Sequence, residues 1–314
     1  MNQVYWVPSA PMSVEDSVVQ KLERLLSASG ALEGLAEGMR VALKINTSEE
    51  GYEYGLRPVF LRAIAEAVRG RVGAGALLCD GLKLVDYRRR TKGSSFMEVA
   101  RSRGYIDHAL GGSLVINGGF SGDEGNLYRC PRPGSELGGV EVGAAVCRSD
   151  ALLVLSHVTL HPLFGLSGAL VNGGFECLVG RERLRVLDGI DPYLFNGHRP
   201  EAGSIARLHR RALEGHLGVR ESVNGGIFYL NYVWDVTPQP EHFPFSLGPV
   251  VQNLGFLASR DPVALDQATH ALLADSLGPD VSSLRIMTGV DFPGFLALAE
   301  ELGLGSRRHT LTRL

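Results

Sequence analysis

The stretch Ala151-Leu152-Leu153-Val154-Leu155-Ser156-His157-Val158-Thr159-Leu160-His161-Pro162-Leu163-Phe164-Gly165-Leu166-Ser167-Gly168 opens as an unbroken apolar run and ends in two histidines and a glycine-rich turn. An apolar run bounded in this way reads as a strand buried on both faces, the habit of parallel sheets. In open α/β sheets the ligand lies beyond the carboxyl ends of the strands. The stretch therefore predicts a central strand whose C-terminal end carries a site. His157 and His161 are the groups suited to proton transfer near neutral pH, and Gly168 allows close approach of backbone to a ligand.

Working outward, residues 3–7 read as a strand, and Ser13 as the cap of a helix running to about residue 29. Residues 39–45 read as a second strand, Pro58 opens a helix through Val68, and residues 76–80 form a third strand ending on Asp80. Alternation of strand and helix is the signature of a parallel α/β sheet. A helix over 95–104, a strand over 113–117, a loop or hairpin over 122–139 and a strand over 140–146 follow. Beyond the histidines, Arg185–Pro192 reads as a strand ending on Asp188, and the loop after it carries Asn196 and His198. Then come a helix over 203–216, a strand over 226–234, an irregular segment Thr237–Pro249 with four prolines, a strand over 254–259 and a helix from Pro262 to Leu277. The remainder reads as helix to about residue 302 with a polar tail. The expected fold class is α/β: a mainly parallel sheet flanked by helices, in two lobes (1–149 and 150–314) with a cleft between them, or one continuous domain.

The bulk composition sets limits. The chain has 314 residues, 45% hydrophobic and 21% charged, with a formal net charge of −3. Those values suit a globular protein and argue against a nucleic-acid groove. No apolar stretch reaches the length of a membrane span, and the N-terminus lacks the pattern of a signal peptide, so a cytoplasmic location is expected. Cys79, Cys130, Cys147 and Cys177 form no C-x-x-C pair. They read as small buried thiols, and no ferredoxin-type iron–sulfur cluster is expected.

Of 31 basic residues only Lys21, Lys44, Lys83 and Lys92 are lysine. Lys44 lies within the apolar run Val41-Ala42-Leu43-Lys44-Ile45-Asn46, where a charge is costly unless it has a partner. It is expected to hold an anion, or to stabilise a developing oxyanion. Asp80 and Asp188, each before a glycine at a predicted strand end, are candidates for fixing a ligand; the structural alternative is an Asx turn or helix cap. Asp266 lies a turn into the helix opened by Pro262 and faces either core or site. Asn46, Lys83, Gly168, Asn172, Asn196 and His198 complete the expected ligand-binding set. His157 and His161 also qualify as metal ligands, with Asp80, Asp188, His198 or Glu176 as a third donor to a divalent ion.

Several of these stretches resemble the family called domain of unknown function 362. They are Leu43-Lys44-Ile45-Asn46, His157 through Gly174, Leu187-Asp188-Gly189-Ile190 with Asn196-Gly197 and Pro200, and Leu257 through Asp266. The resemblance covers most of the chain and implies no particular reaction. Many members carry a ferredoxin module that this chain lacks, and members usually have lysine where this chain has Val171. The segment His161-Pro162-Leu163-Phe164-Gly165-Leu166-Ser167-Gly168 also resembles a turn of the nickel-pincer lactate racemases. That resemblance implies an active-site role for His161 and a cleft between two lobes. The lysine that would hold the pincer covalently falls on Val171, so a covalent pincer is not expected.

The resulting expectation is an enzyme of isomerase, epimerase or lyase type acting on a small anionic metabolite. His157 and His161 would be acid and base, with Lys44 and Asp188 in support. The alternatives are a metal-dependent enzyme with the two histidines as ligands, and a non-catalytic binding or accessory protein for an iron–sulfur enzyme. The expected partners are a small anionic metabolite and, as an open option, further copies of the chain; nucleic acid and membrane are not expected.

Overall fold

The computed structural model describes residues 2–84, 89–130, 134–192, 194, 199–277 and 288–314. The strands in chain order are β1 (Asn2–Pro8), β2 (Val41–Lys44), β3 (Leu77–Gly81), β4 (Ser113–Asn117), β5 (Gly125–Arg129), β6 (Gly139–Gly143), β7 (Ala151–His157), β8 (Thr159–His161), β9 (Gly165–Ser167), β10 (Ile227–Val233), β11 (Gly255–Ser259) and β12 (His309–Arg313). Eight of them form one sheet in the order β12-β1-β11-β10-β7-β2-β3-β4. Pairing is parallel from β10 through β7, β2 and β3 to β4; β11 is antiparallel to both its neighbours. The fold is thus α/β with a mainly parallel sheet.

All seven residues of β7 are buried. Its alternate side chains feed two cores, because successive Cβ atoms point to opposite faces. Leu153 and Leu155 pack with the helices α1 (Val18–Ala28) and α2 (Pro58–Val72) on one face. The helices α3 (Gly93–Ser102), α4 (Asp107–Leu110) and α5 (Ala144–Cys147) come next in the chain. Leu152 and Val154 pack on the other face with α6 (Ala169–Asn172), α8 (Ala202–Ser222) and α9 (Pro262–Leu277). Each leucine buried this way contributes roughly 1.5–3 kcal/mol.

The chain moves outward one way through β2, β3 and β4, then returns to place β7 on the opposite side of β2 and β10 beyond it. Strand order therefore reverses between β2 and β7, and in open α/β sheets that reversal opens a crevice at the carboxyl ends. Lys44 ends β2 and His157 ends β7.

The sequence reading needs four corrections. The division near residue 150 does not separate two sheets: β7, from the second half, pairs directly with β2 from the first. The first helix is capped by Ser17, which forms a reciprocal capping box with Gln20, and not by Ser13. Arg185–Pro192 is not a strand. Residues Gly180–Leu187 form a helix, α7, with Glu182, Arg183, Val186 and Leu187 on its buried side, a helical spacing. The polar tail contains β12, which lies parallel to β1. Among the described residues no helix is long and apolar enough to cross a membrane.

Candidate functional site

Lys44 is fully buried at the switch point. Its ammonium donates to the Ile45 carbonyl at 2.6 Å, Asn46 Oδ1 at 3.0 Å and Asp80 Oδ1 at 3.2 Å. Burial opposes the charge, but Asp80 and Glu176 outweigh it and hold the pKa above the ordinary lysine value. An ammonium has three hydrogens, and all three are spent on the protein. The expectation that Lys44 grips a substrate anion is therefore corrected: it is a buried anchor.

Asp80 ends β3 as the other half of that anchor. It accepts from the Thr47 amide at 3.0 Å, the Thr47 hydroxyl at 3.2 Å, the Gly81 amide at 2.8 Å and the Arg90 guanidinium. Burial would raise its pKa, but Lys44, Arg90 and Lys83 hold it well below the usual carboxylate range. Its oxygens are engaged within the protein, so a direct ligand role is corrected as well.

The anchor orients a chain of amides. Asn46, whose oxygen faces Lys44, donates through Nδ2 to Asn172 Oδ1 at 2.9 Å. Asn172 in turn donates to the Gly168 carbonyl at 2.9 Å and to Ser167 Oγ at 3.3 Å. Beneath the turn, Asp266 accepts from the Ala169 and Leu170 amides at 2.8 and 2.9 Å and from Asn231 Nδ2 at 2.8 Å. A Cβ at Gly168 would lie 2.3 Å from Asp266 Oδ1. Gly168 and Asp266 thus shape the turn and do not face a ligand, contrary to expectation.

The two histidines differ. His157 is fully buried, with Nε2 against the Trp234 carbonyl at 2.8 Å and Nδ1 against Glu241 Oε1 at 3.0 Å. Both nitrogens are occupied, so it neither ligates a metal nor meets substrate. His161 ends β8, and its Nδ1 accepts the Leu163 and Phe164 amides at 3.1 and 3.4 Å. A neutral imidazole that accepts at one nitrogen carries its hydrogen on the other, so Nε2 is a donor. Burial, helped by His209 and Lys83 against Glu176, drives the pKa of His161 down to about 3.

A metal-bound histidine needs the opposite arrangement, donating through its free nitrogen. Among the described residues no group of three or more His, Cys, Asp or Glu side chains is placed to hold a metal ion. The metal-ligand expectation for His157 and His161 does not fit this geometry.

Two adjoining cavities, of about 20 and 10 Å³, share Lys83, His161, Glu176 and His242 in their walls. Phe164, Phe175 and Leu163 close the apolar side of the larger; Asn46, Ser167 and Glu241 line the smaller. Lys83 has its pKa pulled below the ordinary value, by burial first and then by Arg90, against Glu176 and Asp80. Glu176 is held low: burial raises it, but Lys83, Arg183 and Lys44 prevail.

Of the expected residues, His161, Lys83 and Asn46 reach this chamber, while Lys44, Asp80, Asn172, Asp266 and Gly168 support it from behind. Asp188 does not join it. It caps α7 in a left-handed conformation and pairs at 2.9 Å with Arg211, its side chain more than half exposed. Asn196 and His198 lie outside the described residues. Sequence reasoning missed Glu241 and His242, and saw Glu176 only as a metal donor. The four prolines around Glu241 were the available signal of a segment held rigidly. Val171 also lines the smaller cavity, where the resemblance would place a lysine.

No curated protein matches this chain. Among solved structures it is similar to the lactate racemase apoprotein from Thermoanaerobacterium thermosaccharolyticum, at 13% identity and a TM-score of 0.49, covering 88% of this chain and 58% of that one. It is also similar to a Thermotoga maritima protein, at 11% identity and a TM-score of 0.42, covering 81% of this chain and 57% of that one. The chain spans less than two thirds of the length of either, and neither likeness carries an argument about chemistry. A family model matches residues 41–271, most of the chain, and on that match the chain belongs to the family described as Domain of unknown function (DUF362).

Proposed function

We propose that this protein is an enzyme that moves a proton on a small anionic metabolite, of isomerase, epimerase or lyase type. Lys83 receives the carboxylate or phosphate, and His161 hydrogen-bonds the oxygen on which charge develops. The observation that carries this reading is the fixed tautomer of His161 in a chamber shared with Lys83 and two carboxylates. A neutral imidazole donor is a good partner for a developing oxyanion because it gives a hydrogen bond without first surrendering a proton. We further place the reaction in the cytoplasm, where the four free thiols would stay reduced.

The test is proton–deuterium exchange. Small 2-oxo, 2-hydroxy and phosphorylated acids are incubated with the protein in D2O and their C–H signals followed by NMR. At least one is expected to exchange, with a loss of about a hundredfold or more in His161→Ala and weaker binding in Lys83→Met. Failure of every acid to bind in thermal shift or to exchange overturns the reading.

A further inference from the structure

We propose that Glu241 is the proton acceptor of this chamber, that His157 is its positioning residue, and that the substrate is a small anion bearing a C–H next to a carbonyl. The inference rests on the reading above and deepens it.

Glu241 is 4% exposed and lines the smaller cavity together with His161. Its Oε1 faces His157 Nδ1 at 3.0 Å, and the Trp234 carbonyl obliges His157 Nε2 to carry a hydrogen. One proton must then lie between Nδ1 and Oε1, since two lone pairs would otherwise face each other. That contact fixes one carboxylate oxygen and leaves Oε2 as the oxygen for chemistry.

The backbone is fixed too. The Glu49 amide donates to the Glu241 carbonyl at 2.8 Å, and Tyr52 donates to the Gln239 carbonyl at 3.1 Å. The loop that supplies these contacts holds Ser48, a buried non-glycine residue, at a φ of 59°. Strain of this kind persists only where surroundings impose it, and it gathers at functional sites. Glu176 is the poorer acceptor, because Arg183, at 3.5 Å, and Lys83 both compensate its charge.

In the step itself, His157 Nδ1 keeps the shared proton and donates it to Oε1 as a hydrogen bond, so Glu241 is a carboxylate and its Oε2 takes the C–H proton. The electron pair of that bond moves onto the neighbouring carbonyl oxygen, which His161 Nε2–H hydrogen-bonds. The electron pair then returns from the oxygen to the same carbon, which takes the proton back from Glu241, so no oxidant or co-reactant enters.

Glycidate, a small carboxylate carrying an epoxide, tests the assignment without a known substrate. Glu241 attacks a ring carbon, the C–O bond breaks with its electrons on oxygen, and that oxygen takes a proton from solvent while His161 hydrogen-bonds it. Peptide mass spectrometry of the labelled full-length protein is expected to find the ester on Glu241. Glu241→Gln should abolish it, and Lys83→Met should raise the half-saturating glycidate concentration about tenfold, the effect of one lost charged contact. His157→Gln should slow the bound-state labelling step and leave half-saturation unchanged, a split that a merely structural role would not give. An ester on Glu176 with Glu241 unmodified overturns this inference and leaves the proposed function standing. Labelling of neither carboxylate, with no thermal shift by glycidate, overturns both.

Discussion

His161 carries the sharpest expectation for a single side chain. With its pKa near 3 in the fold and near the ordinary 6.5 when unfolded, the unfolded chain binds more protons between those values. Stability contributed by this residue is therefore full above about pH 6.5 and is lost as pH falls toward 3. The expected spectroscopic result is a neutral ring protonated at Nε2 that does not titrate between about pH 5 and 8, read by ¹⁵N NMR of labelled histidine. A titration within that window would refute the assigned tautomer. Lys44 carries a second expectation. Replacing it with Met leaves Asp80 buried with less compensating charge, which costs about 3–5 kcal/mol, measurable as a lower midpoint in urea unfolding with the slope unchanged.

The glycine-rich turn over α6 behaves as a unit with α9, from which Asp266 reaches it. Gly168→Ala would push a methyl group into the Asp266 carboxylate, and Asp266→Ala would strand the Ala169 and Leu170 amides. Each change is expected to cost about 1–3 kcal/mol. The double variant should cost clearly less than the sum, because both remove one arrangement; full additivity in a double-mutant cycle would argue against it. This turn also shows how much was legible in advance. The apolar run of β7 and the glycines after it placed the turn at a strand end, and His161 followed from that placement; Asn46 and Lys83 were named beside it from the segments just after the second and third strands. Glu241 did not, because it lies in a segment without periodicity and reaches the chamber through contacts to residues 49–52, which no local pattern encodes. Asp188 was misplaced for a related reason: the apolar residues Val186, Leu187 and Ile190 around it read as a strand until Glu182 and Arg183 are seen to share one buried helical side with Val186 and Leu187.

For the molecule as a unit, the interleaving of the two halves matters most. β2, β3 and β4 come from the first half, but the strand on the open side of β2 is β7 from the second. A fragment of residues 1–149 is expected to lack a cooperative unfolding transition and a dispersed NMR spectrum. A folded fragment would show that the first half closes its own sheet edge by another route. The parallel α/β class was readable from the alternation of strand and helix, but the interleaving was not. Strand order depends on which edge a returning chain finds, and the sequence around residue 150 carries no linker-like composition to mark either outcome.

The pairing of Val41 with Ala151, 110 positions apart, sets the order of events at the ribosome. Until β7 has been made, β2 presents an unpaired hydrogen-bonding edge in a run of Val, Ala and Leu, the kind of edge that recruits strands from other chains. Contacts so distant in sequence also slow folding, because loop closure must precede their reward. The nascent protein thus passes through a long interval in which an aggregation-prone edge is exposed, and its yield should rise when chaperones are plentiful.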